Sequence, residues 1–353
     1  MVAWDFEVDM ADLSRTQLRA APPPASVELA PGEVLLGVER FSLTANNITY
    51  GVIGVQLSYW RFFPTSDGWG RLPVWGFAQV VRSRAERVPE GLRLYGYYPM
   101  STHLVASLRP DAGGYVDEAP HRAGLAAVYN RYMEASETPH DDHIALLRPL
   151  FATSFLLDDY LGEVAPGATV LVSSASSKTA LGLAWQLAQR GVQVVGLTSE
   201  QNLPFLKGLN FFEPAALYDD VSSLDVSGHV VFVNVAGNAS VRSAVHERFN
   251  ERLIHSAVVG GTHHQARDTN ASGDLPGPKP QFFFAPDRFA KRSADWGPAE
   301  LNARIREAMS RFIDTSSWLK IERHHGPDAL ALLYRTVLQG SASPAIGDVV
   351  YPR

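Results

Sequence analysis

From about residue 147 onward the sequence alternates short apolar runs with helical stretches: TVLVSS, TALGLAWQLAQRG, VQVVGLTS, QNLPFLKGLN, HVVFVNVAG, a further helical stretch, and LIHSAVVGGT. Such alternation buries a sheet on both faces and specifies a parallel, doubly wound α/β architecture. Upstream the style differs. From Ser26 to about Leu104 the runs SVEL, EVLLGVERFSL, VWGFAQVVRS and LRLYGYYPMSTHLVA are β-like and separated by turn residues, so this region reads as all-β. Residues 105–145 are more polar, and GLAAVYNRYMEA has the periodicity of an amphipathic helix beginning near His121. After Gly273, DLPGPKPQFFFAPDR is rich in proline and aromatics and marks an exit from the alternating region. A chain of 353 residues exceeds one typical core, so at least two domains are expected.

Charge and composition remove several function classes. A net charge of −6 disfavours nucleic acid or an anionic membrane as partner, because either would select a basic face. The absence of cysteine rules out disulfides, thiolate metal sites and a cysteine nucleophile. The opening MVAWDFEVDM carries acids instead of a basic segment followed by an apolar one, and no apolar run approaches membrane-spanning length, so a cytoplasmic protein is expected.

The segment TVLVSSASSKTALGLAWQL is an apolar strand, a tight turn of small residues and a helix that starts at once. This is the shape of a dinucleotide-binding turn, where the backbone approaches a pyrophosphate and the helix N-terminus offers unpaired amides. Ser174, Ser177 and Ala180 stand where a G-x-x-G-x-x-G pattern has glycine. Ser176 and Thr179 add hydroxyls and Lys178 adds a charge. The same residues could equally form an ordinary serine-rich helix cap, a common feature of α/β proteins.

Several collinear pieces share an order with one superfamily. PGEVLLGVERFSLTANNITYG looks like an opening strand and first active-site loop, and VWGFAQVV like a glycine-containing β-domain strand. GLRLYGYYPMSTHLVA resembles a G-D-R-V-x-G segment, PLFATSFLLDDYL a crossing helix, and GDVVYP a closing strand. Together they resemble the medium-chain dehydrogenase/reductase superfamily, and within it the zinc-independent quinone-oxidoreductase and enoyl-reductase branch. The resemblance implies a GroES-like β-rich catalytic domain over 1–146, a Rossmann-type NADP-binding domain with a doubly wound parallel sheet over 147–285, and a segment 286–353 returning to the substrate domain. Where zinc enzymes of the superfamily place cysteine and a Gly-His-Glu segment, this sequence has Ala45, Asn46, Asn47 and Pro73, Val74, Trp75, so no catalytic metal is expected.

The same resemblance implies NADP(H). The strand VQVVGLTS ends in Thr198 and Ser199, hydroxyls that can donate to a 2′-phosphate, although Glu200 follows at once. Tyr218 matches a tyrosine that packs by that phosphate, and Thr153 one that touches the cofactor near its nicotinamide. Asn234, Ala236 and Gly237 end one strand and Gly260 and Gly261 the next, at carboxyl edges where ligands lie. Phe283, in the run Phe282 to Phe284, could shield a nicotinamide from water or belong to the core. For the chemistry, Tyr50 is the first candidate proton donor, with Asn46 and Asn47 as polar neighbours and Tyr98 and His263 as further candidates. Each could instead serve packing or a turn.

The expected activity is a zinc-free, NADP(H)-dependent reduction of an activated double bond or carbonyl in a small molecule, such as an enone, quinone or enoyl thioester. A lyase or isomerase on the same fold and a non-catalytic NADP(H)-binding protein remain as alternatives. A homodimer is the superfamily's usual state. The sequence HDDH, with His140 and His143, looks like a metal cluster, but acids at a helix start complement the dipole without any ion.

Overall fold

The computed structural model describes residues 2–235, 238–259 and 275–353. The chain divides into two compact units, Met1–Arg148 with Trp318–Arg353, and Pro149–Ser317.

In the first unit, β1 (Trp4–Asp9), β2 (Thr16–Ala20) and β4 (Trp69–Gly70) form a small antiparallel sheet in the order β2-β1-β4. The larger sheet contains β3 (Glu33–Ser42), β5 (Pro73–Ser83), β6 (Arg93–Pro99), β7 (His103–Asp111), β8 (Gly114–Asp117), β9 (Arg131–Glu134), β16 (Lys320–His325) and β17 (Ile346–Tyr351). Its order is β16-β17-β3-β5-β6-β9-β8-β7, and β3 also pairs with β7, so the sheet closes on itself. Val34, Leu36 and Val38 of β3, Phe77 of β5 and Leu94 of β6 are buried in one core. At Gly76 a Cβ would run into the backbone of Arg40 and Phe41 across the strand pair, so only glycine lets β5 lie this close to β3.

Three expectations change here. GLAAVYNRYMEA is no amphipathic helix: it forms a 3₁₀ turn (Ala127–Asn130) and then β9. Pairing on both edges overrides its local periodicity, with Tyr95 opposite Met133 on one side and Tyr115 opposite Tyr132 on the other. Tyr132 is fully buried and donates its hydroxyl to the Tyr97 carbonyl at 2.8 Å. The run SVEL forms no strand and follows a 3₁₀ turn at Pro24–Ser26. The loop after β3 is instead a helix, α1 (Ala45–Val52).

The helix α2 (Asp141–Val164) runs from the first unit into the second and contains Pro149. A proline has no amide to give to the carbonyl four residues back, which here is Ala145. The Ser42 hydroxyl donates to that carbonyl at 2.9 Å. Replacing Ser42 with alanine leaves the carbonyl buried without its partner and is expected to cost about 1–3 kcal/mol. Urea denaturation checks this; an unchanged midpoint would show that the helix does not depend on the contact.

In the second unit, β10 (Thr169–Ser173), β11 (Val194–Thr198), β12 (Ala215–Leu217), β13 (Val230–Asn234), β14 (Leu253–Val258) and β15 (Gln281–Phe282) form one sheet in the order β12-β11-β10-β13-β14-β15, every pair parallel. This is the Rossmann order 3-2-1-4-5-6. Every residue of β10, β11 and β13 is buried, as expected of strands covered on both faces. The remaining helices of this unit are α3 (Lys178–Gln189), α4 (Leu203–Lys207), α5 (Ala239–Phe249), α6 (Ala285–Trp296) and α7 (Pro298–Thr315). Gly182 lets α3 approach α2, since a Cβ there would press on Ser154 and Phe151.

Residues 286–317 lie with the second unit, so the return to the first begins at Trp318 and not at 286. The cause is apolar: Phe312 of α7 stacks on Phe151 at 5.2 Å and meets Trp185 at 5.5 Å. The helix α8 (Gly326–Leu338) and β17 complete the first unit. Among the described residues, no helix is long and apolar enough to cross a membrane.

Candidate functional site

The second unit carries a polar edge where β10 meets α3. Ser174 adopts a left-handed conformation with φ 50°, a backbone state that favours glycine. Its amide donates to the Tyr218 hydroxyl at 3.1 Å. Tyr218 follows Leu217 of β12, which pairs with Thr198 of β11, so two neighbouring strand ends come together with the turn. Ser177 caps α3, its hydroxyl accepting from the Ala180 amide at 3.3 Å. Lys178 and Thr179 open the helix, and its first turn contains no acid. Such a helix start presents amides that the helix cannot use internally and a positive dipole end. Ser176 is half-buried in the turn, Thr198 is buried, and Ser199 and Glu200 are exposed beyond it.

A second set of polar groups braces this edge. The Ser173 hydroxyl donates to Asn234 Oδ1 at 2.9 Å and accepts from the Val235 amide at 3.1 Å. Asn234 Nδ2 donates to the Asn238 carbonyl at 3.1 Å, and the Asn238 side chain caps α5 by accepting from the Val241 amide. Asn234 therefore ties β10, β13 and the start of α5 together. The Thr153 hydroxyl donates to the Pro149 carbonyl within α2 at 3.1 Å. Phe283 is buried against Tyr160, ring centroids 5.5 Å apart, and its amide donates to Val258. Ala236, Gly237, Gly260, Gly261 and His263 lie outside the described residues.

In the first unit the polar groups converge within aromatic walls. Asn47 Oδ1 accepts from the Thr44 amide at 2.8 Å and closes a capping box on α1, while Asn47 Nδ2 donates to the Pro73 carbonyl at 2.9 Å. Asn47 is thus a buried structural clip that fixes α1 on β5. The fixed helix presents Tyr50, 7% exposed, whose hydroxyl accepts from Trp75 Nε1 at 3.4 Å and also meets the Asn46 side chain. The Tyr59 and Tyr129 hydroxyls are 3.1 Å apart. The Tyr97 ring lies 4.8 Å from Tyr129, 4.9 Å from Trp75 and 5.8 Å from Tyr50.

The hydroxyls of Tyr95 and Tyr97 are buried with no hydrogen-bond partner among the described residues. Burial is the main force that raises the pKa of Tyr50, Tyr59, Tyr95, Tyr97 and Tyr129, and Tyr50 pushes several of the others further. All five phenols therefore keep their protons near neutral pH. The nest can donate hydrogen bonds to an oxygen that gains negative charge, in surroundings of low dielectric.

Tyr98 does not belong to this nest. Its hydroxyl donates to the Leu94 carbonyl at 2.9 Å, its ring packs 5.4 Å from Tyr132, and it is fully buried. Side chains alternate across β6, so Tyr95 and Tyr97 share the face of Phe77 and Trp75 while Tyr98 sits opposite Val74 on the other. The sequence names Tyr98 as a candidate, whereas the structure brings Tyr97 to the Tyr50 nest together with Tyr59, Trp75, Tyr95 and Tyr129, which the sequence reading does not single out. Strict alternation along YGYYP was the one signal available for the choice.

The HDDH sequence is an ion-paired helix start. Asp141 accepts from the Thr138 hydroxyl at 2.9 Å and pairs with Arg93 at 2.7 Å, while Asp142 pairs with Arg40 and Arg323 and accepts from the Tyr351 hydroxyl.

No curated protein matches the sequence. Among solved structures, CurA from Vibrio vulnificus in complex with NADPH superimposes with a TM-score of 0.62 at 15% identity, covering 100% of this chain and 98% of that one. The quinone oxidoreductase from Coxiella burnetii gives 0.60 at 16% identity, with 100% of both chains covered. The yhdH oxidoreductase from Salmonella enterica in complex with NADP gives 0.57 at 16%, again with 100% of both covered. At these identities the likeness is one of fold, and the fold is that of medium-chain dehydrogenase/reductase proteins: a GroES-like β-rich domain and a Rossmann domain. The family described as "Protein of unknown function (DUF2855)" matches residues 41–343, most of the sequence, and the chain belongs to that family.

Proposed function

We propose that this protein is an NADP(H)-dependent, zinc-free reductase that reduces an activated double bond or carbonyl in a small molecule, such as an enone, quinone or enoyl thioester. The observation that carries the reading is the serine-lined bend before α3, at the carboxyl end of the central strand of a 3-2-1-4-5-6 sheet. The presence of NADPH and NADP in structures of the same fold supports it.

The residues present fit such a group. Ser174, Ser176, Ser177 and Thr179 provide hydroxyls and amides for a pyrophosphate at the start of α3, and Lys178 adds a positive charge. Thr198, Ser199 and Tyr218 provide hydroxyls for a 2′-phosphate at the end of β11, with no carboxylate on the last strand residue to repel it. When bound, the cofactor supplies the hydride. Tyr50, held by Trp75 and Asn46, donates a hydrogen bond to the substrate oxygen and then the proton. Burial raises its pKa, so the phenol keeps its proton until a substrate oxygen beside it gains negative charge.

Two measurements test this. Titration calorimetry should show saturable NADPH binding, and a panel of enones, quinones and enoyl thioesters should include a compound that makes the protein consume NADPH. Changing Lys178 to alanine should weaken NADPH about tenfold, more than NADH, as expected for the loss of one charge-assisted contact to the 2′-phosphate, which NADH lacks. Equal losses would place Lys178 on the pyrophosphate that both cofactors carry and remove it from the 2′-phosphate. Turnover without NADPH consumption would favour a lyase or isomerase, and binding with no turnover a sensing protein.

A further inference from the structure

We propose that Glu322, His324 and Asp348 form a binding site for a divalent transition-metal ion of borderline softness, such as Zn²⁺, on the margin of the eight-stranded sheet. The site is independent of the nucleotide reading, lies wholly in the first unit and supplies no metal to the proposed reduction, which remains free of catalytic zinc.

β16 is the last strand of the sheet and runs parallel to β17, with Glu322 directly opposite Asp348. Residues two apart on a strand share a face, so His324 projects on the same side as Glu322. His324 Nε2 lies 2.9 Å from Asp348 Oδ1, and one ligand atom from each of the three residues falls within 4.8 Å of the others. These separations suit donors that share one ion at about 2.0–2.2 Å from each.

The charges around the trio make a cation reasonable. Two carboxylates facing each other on neighbouring strands repel. The strand's own arginine, Arg323, is turned to the other face, where it pairs with Asp142. Lys320 has no ion pair with either carboxylate among the described residues. One imidazole and two carboxylates form the mixed nitrogen and oxygen set preferred by zinc, cobalt and nickel over calcium or magnesium. Glu322 is exposed and Asp348 is buried, so the ion would have a fixed inner side and an open outer side completed by water. It would also clamp β16 to β17.

The test uses the full chain stripped of metal by a chelator and titrated with Zn²⁺ in a calorimeter, with the bound ion counted by mass spectrometry after dialysis. Wild-type protein should bind one Zn²⁺ at this site. Glu322→Gln keeps the hydrogen bond between His324 and Asp348, so its fold should persist, as circular dichroism can verify. Its affinity should fall about tenfold or more, the lower range for disturbing a metal's ligand environment, and His324→Ala should lose this ion. No bound zinc in the wild-type chain would overturn the proposal. So would undiminished binding in both variants, which would place the ion elsewhere, for example at His140 and His143. Either failure leaves the nucleotide reading intact.

Discussion

Tyr50→Phe is expected to lower turnover roughly 100- to 10,000-fold while leaving NADPH affinity nearly unchanged, which is the size of effect seen when a general acid is removed. The substitution keeps the ring and its packing, including the contact with Tyr59 at 4.6 Å between centroids. What disappears is one hydroxyl, with its contacts to Trp75 and Asn46. Loss of turnover would therefore report on proton donation and not on a collapsed wall. Steady-state kinetics with NADPH, together with calorimetric binding of the cofactor, separates the two. A fully active variant would take Tyr50 out of the mechanism.

Asp117→Asn is expected to destabilise the first unit by about 3–5 kcal/mol, because it strands a charge that has no route to water. Arg122 and Asp117 each have a side chain 1% exposed, with Arg122 Nε 3.1 Å from Asp117 Oδ2 in an ion pair that is not a well-aligned hydrogen bond. The guanidinium lies 4.9 Å above the Phe63 ring and 5.6 Å above Phe62, contacts that help a positive charge but do not neutralise it. Asparagine can still accept from the Ser107 and Ala119 amides, which the Asp117 carboxylate now does at 3.1 and 3.0 Å. The loss therefore isolates the charge. Arg122 also donates to the Tyr129 carbonyl at 3.4 Å, so the variant should loosen one wall of the phenol nest as well. Thermal or urea unfolding measures the change, and a loss below about 1 kcal/mol would mean that the aromatic rings alone can hold the guanidinium.

The second unit was the more legible half. Its central strands β10, β11 and β13 are buried on both faces, so apolar runs such as TVLVS and VVFVN announce themselves without help from distant residues. The turn from Ser174 to Ser177 could be found because its neighbours are local. The roles within it were harder: Asn234 looks like a ligand-facing strand end, yet its amide is committed to Ser173 and Asn238, a partner on another strand and one in the next turn.

In the first unit, the role proposed for a residue depends on which face of a strand it takes. Tyr97 and Tyr98 are neighbours in sequence, and only the register against Trp75 and Val74 separates them. Tyr129 was out of reach for another reason. Its segment has a helical pattern, and the pairing of β9 with β6 and β8, set by residues more than ten positions away, decides its conformation.

Among the described residues, the closing pair between β3 and β7 joins one end of the larger sheet back to its middle, and β16 remains as its terminal strand. That strand carries Lys320, Glu322, Arg323, His324 and His325, a hydrophilic row in which an added strand from another molecule would have to strip water from ionisable groups to form its ladder. The edge most open to an added strand is thus guarded by hydration, where the closed part of the sheet is guarded by its own backbone pairing.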